Sequence, residues 1–388
     1  MKKVVVLGAT GSIGDSTFRV LKGLGPEYQV VGISGGKQLD KLAALAQVWQ
    51  PAWVGVAEKG DAPALAAQLP GARVVAGEEG LCQLASLPEV ELVINGLVGA
   101  VGLRPSLAAL EAGKTLGMAN KEPIVMAGGL LLAAGRAGGG QLLPLDSEPN
   151  ALWQCLKGEE PGSLARLILT ASGGPFRGRT RGQLAGVTPE QALRHPTWKM
   201  GAKITVDSAT LMNKGFEVIE ASWLFGVGVD RVEVVIHPES VVHSLAEFTD
   251  GALLAHLGRT DMSMPIHYAL THPNRRPASL ERLDLTQVGQ LRFAAPDREN
   301  FPCLDLCYRA GRAGGTAPAL LSGADEVAVA AFLEGRISFL DIAELNRQVL
   351  EAQPVGPADS LAAVLAADAQ GRRLAAEWIA NRIPEGAR

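Results

Sequence analysis

Val4-Val5-Val6-Leu7-Gly8-Ala9-Thr10-Gly11-Ser12-Ile13-Gly14 stands at the start of the chain, and its reading decides the fold. Four consecutive apolar residues predict a short buried strand. The strand breaks into the glycine-rich turn GATGSIG, and a helix can begin at Ser12. A helix N-terminus presents unpaired backbone N–H groups and the positive end of the dipole, so it attracts a pyrophosphate. In the spacing GxxGxxG, Gly8 permits the tight turn, Gly11 lets backbone approach a phosphate, and Gly14 lets the helix pack closely on the strand. Such a turn also occurs without a ligand, so its weight depends on the residues downstream of it.

Downstream, strands and helices alternate. Residues 3–8, 28–34, 53–57, 73–76, 91–95, 115–119 and 141–145 read as short apolar strands. Helices fit between them at 12–23, 38–48, 61–69, 102–112 and 123–136. Strand–helix alternation implies parallel strands joined by right-handed crossovers, with helices on both faces. The first 150 residues are therefore expected to form a doubly wound, Rossmann-like α/β domain with the glycine turn in its first crossover. The rhythm then changes. Strands are expected at 166–171 and 232–248 around a polar stretch at 173–207, with one long helix from Ser208 to about Phe225. This part reads as α+β. Residues 272–302, with four prolines, look like a linker, and 303–388 read as a C-terminal helical bundle.

Composition narrows the function. The 388 residues exceed what one core organises, and 47% hydrophobic with 20% charged is ordinary for a globular protein. A formal net charge of −4 and the lack of a basic run argue against nucleic-acid binding. No window approaches the roughly 18 apolar residues of a membrane span. Cys82, Cys155, Cys303 and Cys307 include no CxxC pair; Cys303 and Cys307, one helical turn apart, read as small core residues over a metal or redox pair, since no histidine or third cysteine lies nearby. A cytoplasmic location is expected.

Several clusters point to chemistry. The second strand ends in Ser34-Gly35-Gly36-Lys37, with no acid to accept a ribose 2′-hydroxyl, so a 2′-phosphate and hence NADP(H) is favoured. Asp146 and Glu148 would point to one side if the chain were extended there, and could hold Mg²⁺ or Mn²⁺. Equally, they could be the N-cap and first-turn acid of a helix at 148–157. In Val206–Glu217, helical spacing puts Asn213, Lys214 and Glu217 along one side. Asn, Lys and Ser208 would make a phosphate clamp, and Glu217 a third carboxylate; Ser208 also fits an N-cap. Ser172-Gly173-Gly174 suits an anion nest or a plain turn. Asn120, Lys121 and Glu122 close a parallel strand, where ligands of such sheets bind. His195-Pro196-Thr197-Trp198-Lys199-Met200-Gly201 suits a lid over a ligand or simple packing on the surface. The remaining histidines show no ligand-like spacing.

Taken together, GATGSIG, GGK at 35–37, ANKE at 119–122, LDSE at 145–148, SGGPF at 172–176, HPTWKMG at 195–201, VDSATLMNKGFE at 206–217, IHPESVVHS at 236–244 and FAAPD at 293–297 resemble the 1-deoxy-D-xylulose 5-phosphate reductoisomerase family over nearly the whole chain. The resemblance implies an NADPH-binding domain at 1–146 and a catalytic, metal-binding and dimer-forming domain at 147–272 with a flap at 192–202. A linker at 273–302 and a helical domain at 303–388 would complete the chain. It implies that Asp146, Glu148 and Glu217 hold one divalent cation (Mg²⁺, Mn²⁺ or Co²⁺). Catalytic and substrate contacts would come from Lys121, Ser147, Glu148, Ser172, His195, Ser208, Asn213, Lys214 and Glu217. NADPH contacts would come from Thr10, Gly11, Ser12, Ile13, Gly36, Lys37, Gln38, Asn120, Glu122 and Gly201, with Trp198 and Met200 in the flap. The implied partners are a small sugar phosphate and a second copy of the chain, with no nucleic acid or membrane. The implied reaction is a skeletal rearrangement, by retro-aldol/aldol steps or an α-ketol shift, and then hydride reduction, in isoprenoid biosynthesis. Three places depart from the family pattern: Pro123 after ANKE, Pro149 after DSE, and Ser322-Gly323-Ala324-Asp325-Glu326 where an asparagine-bearing version is usual. A dehydrogenase of the homoserine or semialdehyde type and a non-catalytic NADPH sensor are the rival readings. The first class needs no three-carboxylate site or phosphate clamp, and its semialdehyde members need a reactive thiol. The second has no use for a metal.

Overall fold

Val4, Val5, Val6 and Leu7 are fully buried, as a parallel strand covered by helices on both faces must be. In the computed structural model, described over residues 1–198, 200–352 and 354–382, this strand is β1 (Lys2–Leu7). It lies among β2 (Tyr28–Gly35), β3 (Trp53–Val56), β4 (Arg73–Ala76), β5 (Leu92–Asn95), β6 (Thr115–Met118) and β7 (Gln141–Pro144). The seven strands are all parallel, in the order β4-β3-β2-β1-β5-β6-β7. Order reverses between β1 and β5, so the ligand crevice expected of such sheets opens at their carboxyl ends.

A second sheet, ordered β11-β10-β8-β9, contains β8 (Leu164–Ala171), β9 (Val232–Ile236), β10 (Val242–Phe248) and β11 (Leu253–Leu257). The run 232–248 is thus two strands. They part at His237–Val241, where Ser240 has φ +52° and the His237 Nε2 accepts the N–H groups of Val241 and Val242 at 3.2 and 3.1 Å. Strand β11 escaped the sequence reading because it is an edge with exposed Leu253, Leu254 and Leu257, so it lacks the alternation of a half-buried strand.

The chain forms two compact units, cut differently from the four segments expected. Unit 1 holds residues 1–123, 129–150 and 261–281; unit 2 holds 124–128, 151–260 and the described chain from Arg282. The helix Ser263–Thr271 joins unit 1 through long-range bonds that no local pattern announces. Lys2 Nζ and Tyr28 Oη both donate to the Leu270 carbonyl, at 3.2 and 3.0 Å. In unit 2 the sheet and the C-terminal helices share one core, in which Phe176 meets Phe339 edge-on at 5.0 Å. The expected linker is also no bare tether, since Ala294 bridges Ile236 and Phe293 stacks on His237 at 4.7 Å.

The expected helix from Ser208 to Phe225 is two helices, Ala202–Thr210 and Met212–Phe225. Leu211 between them is left-handed (φ +63°), and Thr210 Oγ1 accepts the Met212 N–H, diverting a donor from the helical ladder. Ser208 therefore lies in the last turn of the first helix and caps neither. Pro123 and Pro149 fall in the first turns of the helices Glu122–Gly138 and Ser147–Cys155, where proline costs no hydrogen bond. Among the described residues no helix is long and apolar enough to cross a membrane.

Candidate active site

In unit 1 the sequence-selected residues converge on one edge, because each comes after the carboxyl end of a parallel strand. Gly8 has φ +77°, and a Cβ there would lie 2.6 Å from the Gly96 carbonyl oxygen; at Gly14 it would lie 2.1 Å from that of Ala9. At Gly11 the nearest protein atom would be 3.4 Å away, so packing alone does not demand glycine there. Gly11 is the N-cap of the helix Ser12–Leu24, and no side chain caps it. This helix starts directly after the carboxyl end of β1, the end at which such sheets bind ligands.

Ser34 is buried, and its Oγ accepts the Gly8 N–H at 3.2 Å, tying the glycine turn to the end of β2. The end of β2 presents Gly36 and the exposed Lys37 and Gln38. Two features here were missed from sequence. Lys41 donates to the Thr10 carbonyl (3.0 Å) and pairs with Asp15 at 2.9 Å, neutralising the one acid in the first turn of the anion-facing helix. The loop after β5 flanks the glycine turn, with Asn95 fixing it through Gly102 O (3.1 Å) and Ser106 Oγ (2.8 Å). Exposed Val98 and Val101 in this loop are the signal that could have found it: apolar side chains left uncovered at a strand's carboxyl end. Asn120 Nδ2 donates to Gly99 O at 2.8 Å, while its buried Oδ1 has no hydrogen-bond partner among the described residues.

Asp146-Ser147-Glu148 is not extended; the helix begins at Ser147. Asp146 Oδ1 accepts the Ser147 N–H at 3.0 Å, and Oδ2 lies 2.5 Å from Lys121 Nζ. Ser147 Oγ donates to Glu148 Oε2 at 2.6 Å. The helix-start arrangement is therefore real, and it leaves two carboxylates at the opening of one helix. Their all-oxygen chemistry fits a hard divalent cation.

In unit 2 a second convergence forms. His195 Nε2 lies 2.9 Å from Ser172 Oγ and 3.1 Å from Ser208 Oγ. His195 Nδ1 accepts the N–H groups of Thr197 (3.2 Å) and Trp198 (2.9 Å), which assigns the ring proton to Nε2. Burial pushes this imidazole down to about 4, so it is neutral at pH 7 and donates toward the hydroxyls. Gly174 holds the partner turn. It has φ +69°, its N–H donates to Ser172 Oγ at 3.1 Å, and a Cβ would lie 2.7 Å from Ser208 O. Only glycine permits that approach.

One helix further, Glu217 is 1% exposed, with Asn213 Nδ2 donating to Oε1 at 2.6 Å and Lys214 Nζ paired with Oε2. Buried charges of this kind persist only when paired, so this is no solvated helix face. His243, one of the histidines without ligand-like spacing, is buried with its ring 6.4 Å from that of Trp198. Burial, reinforced by Lys214, lowers it to about 4. Met200 and Gly201 come next in the flap segment; Lys199 and residues 383–388 lie outside the described residues.

The fold and site define a class: a doubly wound protein of the dinucleotide-binding type whose second unit brings together Ser172, His195 and Ser208. Family models described as 1-deoxy-D-xylulose 5-phosphate reductoisomerase match residues 4–128, with its C-terminal-domain models at 142–225 and 257–374. A protein of that name from Ralstonia nicotianae is 51% identical over 98% of each chain, and one from Anaeromyxobacter dehalogenans 50% over 98% of each. The chain belongs to the 1-deoxy-D-xylulose 5-phosphate reductoisomerase family. A solved reductoisomerase from Zymomonas mobilis, in complex with NADPH, is 40% identical with TM-score 0.91 over 97% of this chain and 99% of that one. Another, in complex with NADPH, fosmidomycin and magnesium, is 38% identical with TM-score 0.94 over 98% of both.

Proposed function

We infer that this chain is an NADPH- and divalent-metal-dependent oxidoreductase that isomerises and reduces 1-deoxy-D-xylulose 5-phosphate to 2-C-methyl-D-erythritol 4-phosphate in non-mevalonate isoprenoid biosynthesis. The observation that carries this reading is end-to-end similarity, at about half identity, to proteins of that name. In it, Asp146, Glu148 and Glu217 hold one divalent cation, and Thr10–Ile13, Gly36–Gln38, Asn120, Glu122 and Gly201 hold NADPH. When bound, the cation supplies Lewis-acid polarisation of substrate oxygens, and NADPH supplies the hydride.

The rest falls to side chains. Ser172, Ser208, Asn213 and Lys214 anchor the phosphate, converting its binding energy into orientation of the reacting end. The N–H of neutral His195 adds a donor to that cluster. Lys121 and Ser147 contact the substrate beside Glu148, and Trp198 and Met200 in the flap (192–202) shield it from water. The functional division keeps the expected boundaries: NADPH at 1–146, catalysis and dimerisation at 147–272, a connector at 273–302 and helical support from 303. A homodimer is favoured by the exposed leucines on edge strand β11, and a cytoplasmic location belongs to the same reading. A semialdehyde-type mechanism is disfavoured, because burial raises all four thiols above their usual range, Cys155 to about 11.

The test is NADPH oxidation with 1-deoxy-D-xylulose 5-phosphate, with and without Mg²⁺ or Mn²⁺. Metal-dependent turnover to the branched polyol phosphate is expected. No turnover with that substrate under any metal condition refutes the reading.

A further inference from the structure

Asp325 is fully buried in the helix Ala317–Leu333, at a position where the sequence departs from the family pattern. A carboxylate is costly there unless compensated. Its Oδ2 lies 3.1 Å from Lys203 Nζ, and its Oδ1 accepts from Asn346 Nδ2 at 3.1 Å. Lys203 also pairs with Asp207, one turn along its own helix, and sits 5.1 Å from the centroid of Phe216, the neighbour of Glu217. One ammonium group thus touches three helices and reaches a fourth through Asn346.

Asp207 immediately precedes Ser208, whose carbonyl abuts the Gly174 turn and whose hydroxyl faces His195. Holding the Asp207 side chain therefore restrains the backbone that carries the adjacent Ser208 hydroxyl. A hydrogen bond of 3.1 Å has little slack before it is lost. We propose that Lys203, clamped between Asp207 and Asp325, is a positioning residue for the phosphate subsite, so that the C-terminal helices set the geometry at Ser208. This rests on the reading of Ser208 as a phosphate ligand.

The test measures kcat, KM for 1-deoxy-D-xylulose 5-phosphate and the unfolding temperature for full-length Lys203→Met and Asp325→Asn. Each is made alone and combined with Ser208→Ala. Lys203→Met is expected to raise KM about tenfold while kcat changes by less than about threefold, and Asp325→Asn to raise KM about threefold. Combined with Ser208→Ala, Lys203→Met should add less than about twofold, since both act on one contact. If KM stays at the wild-type value in both single variants while only the unfolding temperature falls, or if the effects multiply with Ser208→Ala, the proposal is overturned. If Lys203→Met does not fold, Asp325→Asn decides alone by the same KM criterion. Should Ser208→Ala itself leave KM unchanged, the phosphate reading falls and the proposal with it. A raised KM in Ser208→Ala with none in the other two isolates the failure to the clamp.

Discussion

Glu217 shows how much one side chain is asked to do, because its two oxygens are held by Asn213 and Lys214 of its own helix. Glu217→Gln keeps the shape but removes a negative donor. Turnover should fall about 100-fold or more, as expected when Lewis-acid stabilisation worth several kcal/mol is lost. NADPH affinity, read by fluorescence titration, should stay within about twofold. A parallel loss of NADPH binding would show that Glu217 serves the cofactor as well. His195 and His243 set a pH dependence: each is lowered to about 4 in the folded protein, chiefly by burial, against 6.5 unperturbed. Between these values the unfolded chain binds more protons, so stability is fully present above pH 6.5 and is lost as pH falls toward 4. Melting temperature measured over that window should drop with acid, and less steeply in His195→Asn; an unchanged slope would rule out the buried neutral ring. The identities of these residues were legible because Asn, Lys and Glu at spacings of four and three share a helix side. The neutrality of His195 was not, because desolvation depends on what covers the ring.

Elements explain why Ser208 can serve the site at all. A single helix from Ser208 would have spent its hydroxyl on a cap, whereas the break at Leu211 puts it in a last turn facing His195. Gly174 is the counterpart of that break. Gly174→Ala places a Cβ against Ser208 O in a left-handed conformation, and should cost about 1–3 kcal/mol of stability and raise substrate KM. Thermal unfolding and steady-state kinetics check it; a variant with wild-type KM would separate the turn from the proposed phosphate subsite. The strands of the parallel sheet were readable almost to the residue, since each is a short apolar run bounded by turn chemistry. The Leu211 break was not, because it depends on a Thr210 side-chain bond that competes with a helical pattern otherwise continuous in sequence.

At the scale of the whole molecule, metal dependence and assembly are the measurable consequences. Chelation should abolish turnover and added Mg²⁺ or Mn²⁺ restore it, with NADPH binding retained; turnover surviving rigorous metal removal would sink the three-carboxylate assignment. If the proposed homodimer pairs through the exposed edge of β11, Leu254→Lys should shift it toward monomer in sedimentation, because a charged edge resists pairing. An unshifted dimer would move the interface elsewhere. The sequence by itself determined the parallel sheet, the glycine turn, the preference for NADP(H) and the candidate residues for the chemistry, because these depend on local runs, periodicity and the residue types a ligand requires. Only the tertiary structure decided that residues 261–281 belong with the first unit and that the C-terminal helices share the second unit's core. It also decided that Asp325 reaches Lys203, whose other carboxylate partner, Asp207, adjoins Ser208 in the chain. Those outcomes rest on contacts between residues far apart in the chain, whose energy comes from burial and desolvation and leaves no periodic trace in the order of amino acids.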